Sequence, residues 1–263
     1  MENRRGGHRT VGTMCHSMDS RPPAPPDPRP VAENAPVTLR STDGSRLAAH
    51  VALPAGPPRG RMIVLPDVRG LHPYYRDLAV RFAEAGFATA AIDWFGRTTD
   101  DDERGADFVF QPHIAQVDPR DVAADVSVAM THLAERGASG PAFTVGFCFG
   151  GSQSWRLSAG PVDLAGVIGF YGRPVLVRDV VPEMRRPSLL LIAGDDAVTP
   201  AREFERFTAE LAAAEVPYEA HTYPGAPHSF FDRAYAQWGE ACADAWRRIL
   251  DFTDRHGATP PPA

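Results

Sequence analysis

The stretch Thr144-Val145-Gly146-Phe147-Cys148-Phe149-Gly150-Gly151 constrains the fold more than any other part of the chain. The apolar run Phe143, Val145 and Phe147 predicts a strand, and Ser152 to Leu157 continue in a helix-like pattern. A strand can run into a helix this abruptly only if the residues around the turn carry almost no side-chain atoms, which Gly146, Gly150 and Gly151 provide. Cys148 then stands at the tip of the turn in strained backbone. The positive end of the helix dipole beside it favours a thiolate. A buried cysteine in a glycine-rich turn is the plainer alternative, since free cysteine is among the most buried residue types. The remainder of the chain has to separate the two.

At 263 residues the chain is long enough for one α/β domain with a full core. Its net charge of −6 argues against a nucleic-acid binder, which would carry a basic face. Cys15, Cys148 and Cys242 are widely spaced and odd in number, so they form neither a disulfide framework nor a Cys-x-x-Cys metal site. That usage fits a reducing, cytoplasmic location. No apolar run approaches the ~18 residues of a membrane span, and the N-terminus lacks the apolar core of a secretory signal.

Residues 1–34 show no periodic apolar pattern and hold six prolines between Pro22 and Pro30, which predicts a disordered arm. The ordered domain is expected to cover 35–256, with a frayed tail at 257–263. Val37–Arg40 and Leu47–Leu53 flank Asp43-Gly44, a hairpin signal. Arg61–Pro66, Phe87–Ile92, Ala165–Tyr171 and Ser188–Ala193 read as buried strands, and Tyr218–Tyr223 as another. Between them, Tyr75–Phe82, Val122–Leu133, Phe204–Leu211 and Tyr235–Phe252 carry helical periodicity. Residues 97–117 break the pattern and read as a solvated loop. Strands and helices alternating in this way predict a mostly parallel central sheet with helices on both faces. Ligands of such sheets bind beyond the carboxyl ends of the strands.

Two further stretches fall at such ends. Gly194-Asp195-Asp196-Ala197-Val198-Thr199-Pro200 follows the strand ending at Ala193, and Pro224-Gly225-Ala226-Pro227-His228-Ser229-Phe230 follows the one ending at Tyr223. Cys148, one of Asp195 and Asp196, and His228 therefore stand in the chain order nucleophile, acid, base. Either aspartate could also cap the next helix. His221 falls within a strand and His72 opens a helix, which leaves His228 as the histidine in the right place.

The three stretches together resemble the signature segments of the dienelactone hydrolase family, over about residues 36–256. The resemblance implies an α/β-hydrolase fold and a Cys148–Asp196–His228 triad. Asp196 is selected because the family's acid lies four residues before a proline, here Pro200. It implies further that the backbone N–H groups of Val68 and Phe149 form an oxyanion hole. Asp67 would contact the resting thiol, Arg97 would hold a substrate carboxylate, and Tyr171 would line the pocket. Two departures stand out. Asp67 occupies a position where the family has Glu, and Asp232 occupies one where it has a second carboxylate-binding Arg.

The implied activity is cleavage of a dienelactone-like lactone or a related small ester through an acyl-thioester intermediate. No cofactor, metal, nucleic acid or membrane is called for, and the oligomeric state stays open. A general carboxylesterase or thioesterase, or a non-catalytic small-molecule binder on the same fold, are the alternatives.

Overall fold

The computed structural model describes residues 20–102, 104–105, 107–232 and 236–257. Its centre is an eight-stranded sheet in the order β1-β2-β4-β3-β5-β6-β7-β8. The strands are β1 Val31–Arg40, β2 Arg46–Pro54, β3 Arg61–Leu65, β4 Ala88–Ile92, β5 Ala142–Phe147, β6 Gly166–Phe170, β7 Ser188–Asp195 and β8 Tyr218–Pro227. The first two are antiparallel to each other, β2 is antiparallel to β4, and every later pairing is parallel. The β1–β2 hairpin closes through Gly44, whose φ of 84° suits glycine, and Ser45 N–H donates to Asp43 Oδ1 (2.9 Å).

Helices lie on both faces. They are α1 Pro73–Glu84, α2 Gln111–Ile114, α3 Pro119–Glu135, α4 Phe149–Arg156, α5 Ala201–Ala213 and α6 Gly239–Gly257. Alternation along each buried strand divides the core. Met62, Val64, Phe143, Val145, Phe147, Leu189 and Leu191 pack with Leu78 and Phe82 of α1 and Trp246, Ile249 and Phe252 of α6. Ile63, Leu65, Val167, Leu190 and Ile192 pack with Val122, Val126 and Leu133 of α3, Trp155 of α4 and Phe204, Phe207 and Leu211 of α5. Runs apolar on both faces are what a strand covered by helices on each side requires. Helix ends follow local rules: Asp118 caps α3 by accepting the Arg120 N–H (2.8 Å) ahead of Pro119, and Gly86 at φ 96° ends α1.

The structure corrects the expected arm. Residues 1–19 and 258–263 lie outside the described residues, but 20–34 are not loose. Pro22, Pro23 and Pro25 are buried, and the fully buried Trp246 donates its indole N–H to Pro23 O (3.2 Å). Arg21 N–H donates to Asp232 Oδ1 (3.0 Å), and β1 opens at Val31, five residues before Pro36. Proline-rich composition argues for disorder because it predicts no core, yet here another element supplies the apolar surface. The segment 97–117 also holds the short α2 and is fastened down, as described below.

Arg97 supplies a second correction. Its guanidinium donates to both oxygens of Asp125 on α3 (2.8 and 3.0 Å), to Ser41 Oγ (2.9 Å) and to Asp43 Oδ2 (2.9 Å). Four of its five N–H donors bolt α3 to the β1–β2 hairpin. The Asp125 hydrogen bonds, opposed by partial burial, hold the guanidinium pKa above its ordinary value. A free arginine would present that same fork to a ligand; here both edges of it face carboxylates of this chain.

Two outcomes follow from these contacts. Arg97→Ala leaves the buried Asp125 without its cation, which costs about 3 kcal/mol, so the thermal midpoint should drop by about 6–12 °C. A midpoint within about 2 °C of wild type would mean that the network adds nothing to the fold. Deletion of residues 1–30 should both lower the midpoint and shift tryptophan emission to the red, because the cover over Trp246 is lost; unchanged emission would place the strap among dispensable segments.

Candidate active site

The turn between β5 and α4 is shaped by backbone crowding. A Cβ on Gly146 would overlap the Gly150 carbonyl, and one on Gly150 would overlap the carbonyls of Leu65 and Pro66 at the end of β3. With those positions atomless, α4 begins directly against the sheet. Cys148 between them takes φ 56° and ψ −114°, a conformation that persists only when its surroundings over-determine it. Its N–H donates to Phe170 O on β6 (3.1 Å), and its carbonyl accepts the Ser152 N–H (3.2 Å). Both contacts fix the direction of the side chain.

His228 follows β8 and Asp196 follows β7, so the parallel sheet delivers both to the edge where Cys148 stands. His228 Nδ1 and Asp196 Oδ2 are 2.8 Å apart, with both side chains buried. Asp196 Oδ1 accepts the N–H groups of Val198 (2.7 Å) and Thr199 (3.2 Å), a turn that holds the carboxylate still. Asp195 is exposed, and Pro200 occupies the N-cap of α5, so neither aspartate caps that helix. Burial alone would lower the imidazole pKa. The Asp196 hydrogen bond and the adjacent Cys148 sulfur override it and raise His228 to about 9. His228 Nε2 is buried. The Cys148 sulfur is the neighbour through which that side of the ring is held, by hydrogen bonding and by charge. The Tyr171 ring, at φ 36°, lies 4.8 Å from the imidazole and walls that side.

Asp67 is placed differently from the expectation. Its carboxylate accepts Arg69 N–H (2.9 Å) and Arg69 Nη2 (2.9 Å), with His72 Nε2 at 3.4 Å. The thiol is not among its partners in the described residues. Burial opposes ionisation of Asp67, but the His72 ring and the Arg69 guanidinium outweigh it and hold the carboxyl well below the usual carboxylate range. The shorter side chain and an arginine two residues on explain the change of partner. Neither Arg69 nor His72 stands out in the sequence as part of the site; the available signal is an Arg two positions after a strand-end Asp. Arg69 Nη2 also approaches His72 Nε2 at 2.9 Å.

Val68 lies in this same turn, and Phe149 opens α4, so its N–H has no acceptor within the helix. Arg97 stays with Asp125 and Asp43, as above. Asp232, four residues after His228, is buried, with Arg21 N–H on its carboxylate. Among the described residues no group of three His, Cys, Asp or Glu side chains is arranged to hold a metal ion, and no helix is long and apolar enough to cross a membrane.

Comparison with known proteins agrees with this architecture. A "Putative carboxymethylenebutenolidase" of Yersinia pestis is 27% identical over 237 residues, covering 84% of this chain and 88% of the relative. The crystal structure of a "Putative Dienelactone Hydrolase" from Klebsiella pneumoniae superposes with a TM-score of 0.75 at 25% identity, covering 85% of this chain and 98% of that one. A dienelactone hydrolase-like promiscuous phosphotriesterase from metagenomic libraries shares the fold at TM-score 0.71 and 20% identity, covering 86% and 99%. The family model for the dienelactone hydrolases matches residues 47–257, which takes in the turn at Cys148 and the loops of Asp196 and His228, and the chain belongs to the dienelactone hydrolase family.

Proposed function

We propose that the protein hydrolyses a small carboxylic ester or lactone with Cys148 as nucleophile, His228 as acid–base and Asp196 as the group that orients the imidazole. The observation that carries this reading is the strained Cys148 facing a buried imidazole whose far nitrogen is held by a buried carboxylate. His228 takes the thiol proton, and the sulfur attacks the carbonyl carbon. The carbonyl electron pair moves onto oxygen, which the N–H groups of Val68 and Phe149 receive. When that oxyanion collapses, the carbon–oxygen ester bond breaks and His228 returns its proton to the leaving oxygen. An acyl-thioester remains. Water, deprotonated by His228, then attacks it and releases the carboxylic acid and the thiol.

The commitment of Arg97 to Asp125 favours the general small-ester reading over one that requires a charged substrate, because the expected carboxylate grip is engaged elsewhere. An intact Cys–His–Asp arrangement weighs against a purely binding role.

Iodoacetamide at neutral pH should label Cys148 and abolish turnover of an activated ester, and Cys148→Ala should be inactive. Full turnover by Cys148→Ala would sink the mechanism. Cys148→Ser should be strongly impaired in kcat, since the site is tuned for a softer and more acidic nucleophile.

The raised pKa of His228 has a stability consequence. A group whose folded pKa lies above its ordinary 6.5 stabilises the fold fully below that value and loses its contribution as pH rises through about 9. The gap in thermal midpoint between wild type and His228→Gln should therefore be widest below about pH 6.5 and close as pH approaches and passes about 9. A gap independent of pH would exclude a buried imidazolium.

A further inference from the structure

The turn that carries the Val68 N–H has no regular secondary structure to hold it, yet two atoms of the segment after β4 grip it from outside. Trp94 donates its indole N–H to Asp67 O (2.8 Å), and Asp93 Oδ1 accepts the Leu71 N–H (2.8 Å). The same Asp93 carboxylate accepts Phe95 N–H on Oδ2 (3.1 Å) and the Arg104 guanidinium on Oδ1 (2.5 Å). Both side chains of this pair are buried, at 1% and 5% exposure. Arg104 comes from the irregular segment 97–117 and is itself held by Asp101 O (2.7 Å) and by the rings of Phe95 and Phe108, 5.0 and 5.2 Å from its guanidinium carbon. Gly70, at φ 77°, lies against the pair so closely that a Cβ there would overlap Asp93 Oδ1. The turn therefore rests on the ion pair on one side and on the indole on the other.

We propose that Asp93 and Arg104 are positioning residues that set the Val68 N–H for oxyanion stabilisation, a role that rests on the hydrolase reading above. The physical reason is the intolerance of a buried carboxylate for the loss of its cation. Without Arg104, Asp93 turns toward water and releases Leu71, and of the two tethers that the segment after β4 puts on the turn from Asp67 to Leu71 the indole alone remains. An oxyanion donor displaced by a few tenths of an ångström loses much of its effect, and complete loss of one donor costs about 10²–10³ in kcat. The segment 97–117 is then a brace on the site and not a mobile cover.

The test measures kcat and KM for a neutral activated ester, together with the rate of Cys148 alkylation by iodoacetamide, in wild type, Arg104→Gln, Arg104→Lys and Asp93→Asn. Alkylation needs the thiolate but no oxyanion hole, so a positioning role and a merely structural one diverge there. Arg104→Gln should lose about tenfold to a hundredfold in kcat, with KM and alkylation rate within about threefold of wild type, and Arg104→Lys should recover most of the loss. A cavity of about 300 Å³ lined by Leu71, Asp93 and Arg104 borders the pair, so water can hydrate Asp93 in the variant and the chain should still fold. If Arg104→Gln does not fold, Arg104→Lys and Asp93→Asn carry the same comparison, with Asp93→Asn expected to show the kcat-selective loss. Unchanged kcat overturns the proposal, as does a parallel fall in kcat and alkylation. Wild type that fails to turn over the ester, or Cys148→Ala that still does, is a failure of the hydrolase reading and is recognised before any Arg104 variant is scored.

Discussion

The approach of α4 to the ends of β3 and β5 is the constraint on which the site depends. Backbone meets backbone at Gly146 and Gly150, where a single Cβ would push the helix off the sheet. Because the contact is carbonyl against α-carbon, it allows almost no adjustment. The strain at Cys148 is a consequence: the chain must reverse from strand to helix within one residue, and the residue at the tip adopts φ 56° because its neighbours permit nothing else. The tip side chain is then directed at the strand ends, where β7 and β8 deliver Asp196 and His228.

Around that edge the protein buries several carboxylates, and their partners divide them by role. Asp125, Asp93 and Asp67 each face an arginine, which stays charged at any accessible pH. These pairs join segments: α3 to the first hairpin, the brace to the turn after β3, and that turn to itself. Asp196 faces a histidine, whose charge can change within the working range. The arginine pairs act as permanent fastenings, and the histidine pair is the one that the proposed mechanism uses to move a proton. Since removing one partner of a buried pair is far more damaging than the pair is stabilising, these fastenings define geometry more than they add to net stability.

Much of this architecture is legible in the order of the residues. The strands show as short apolar runs, and the convergence of Cys148, Asp196 and His228 on one sheet edge shows because each follows a parallel strand. The departures from expectation share one cause. Arg97 sits in register with a substrate-binding position, but its partner Asp125 lies 28 residues along the chain on another element. Pro23 has nothing to pack on within its own segment, and its partner Trp246 is 223 residues away. Asp67 turns from the thiol to Arg69 because side-chain length and a near neighbour outweigh its place in the pattern.

Local sequence dictates the strand-to-helix turn, the succession of strands along the chain and the identity of the three residues at their ends. Each of these is enforced over short range, by the absence of a Cβ, by apolar patterning or by turn chemistry within a few residues. Which charges are committed to the fold and which are left for chemistry is settled by tertiary contacts alone. An arginine's pattern is the same in either use, and the choice rests on whether a carboxylate from a distant segment reaches it first. At Arg97 and Arg104 one does, through Asp125 and Asp93.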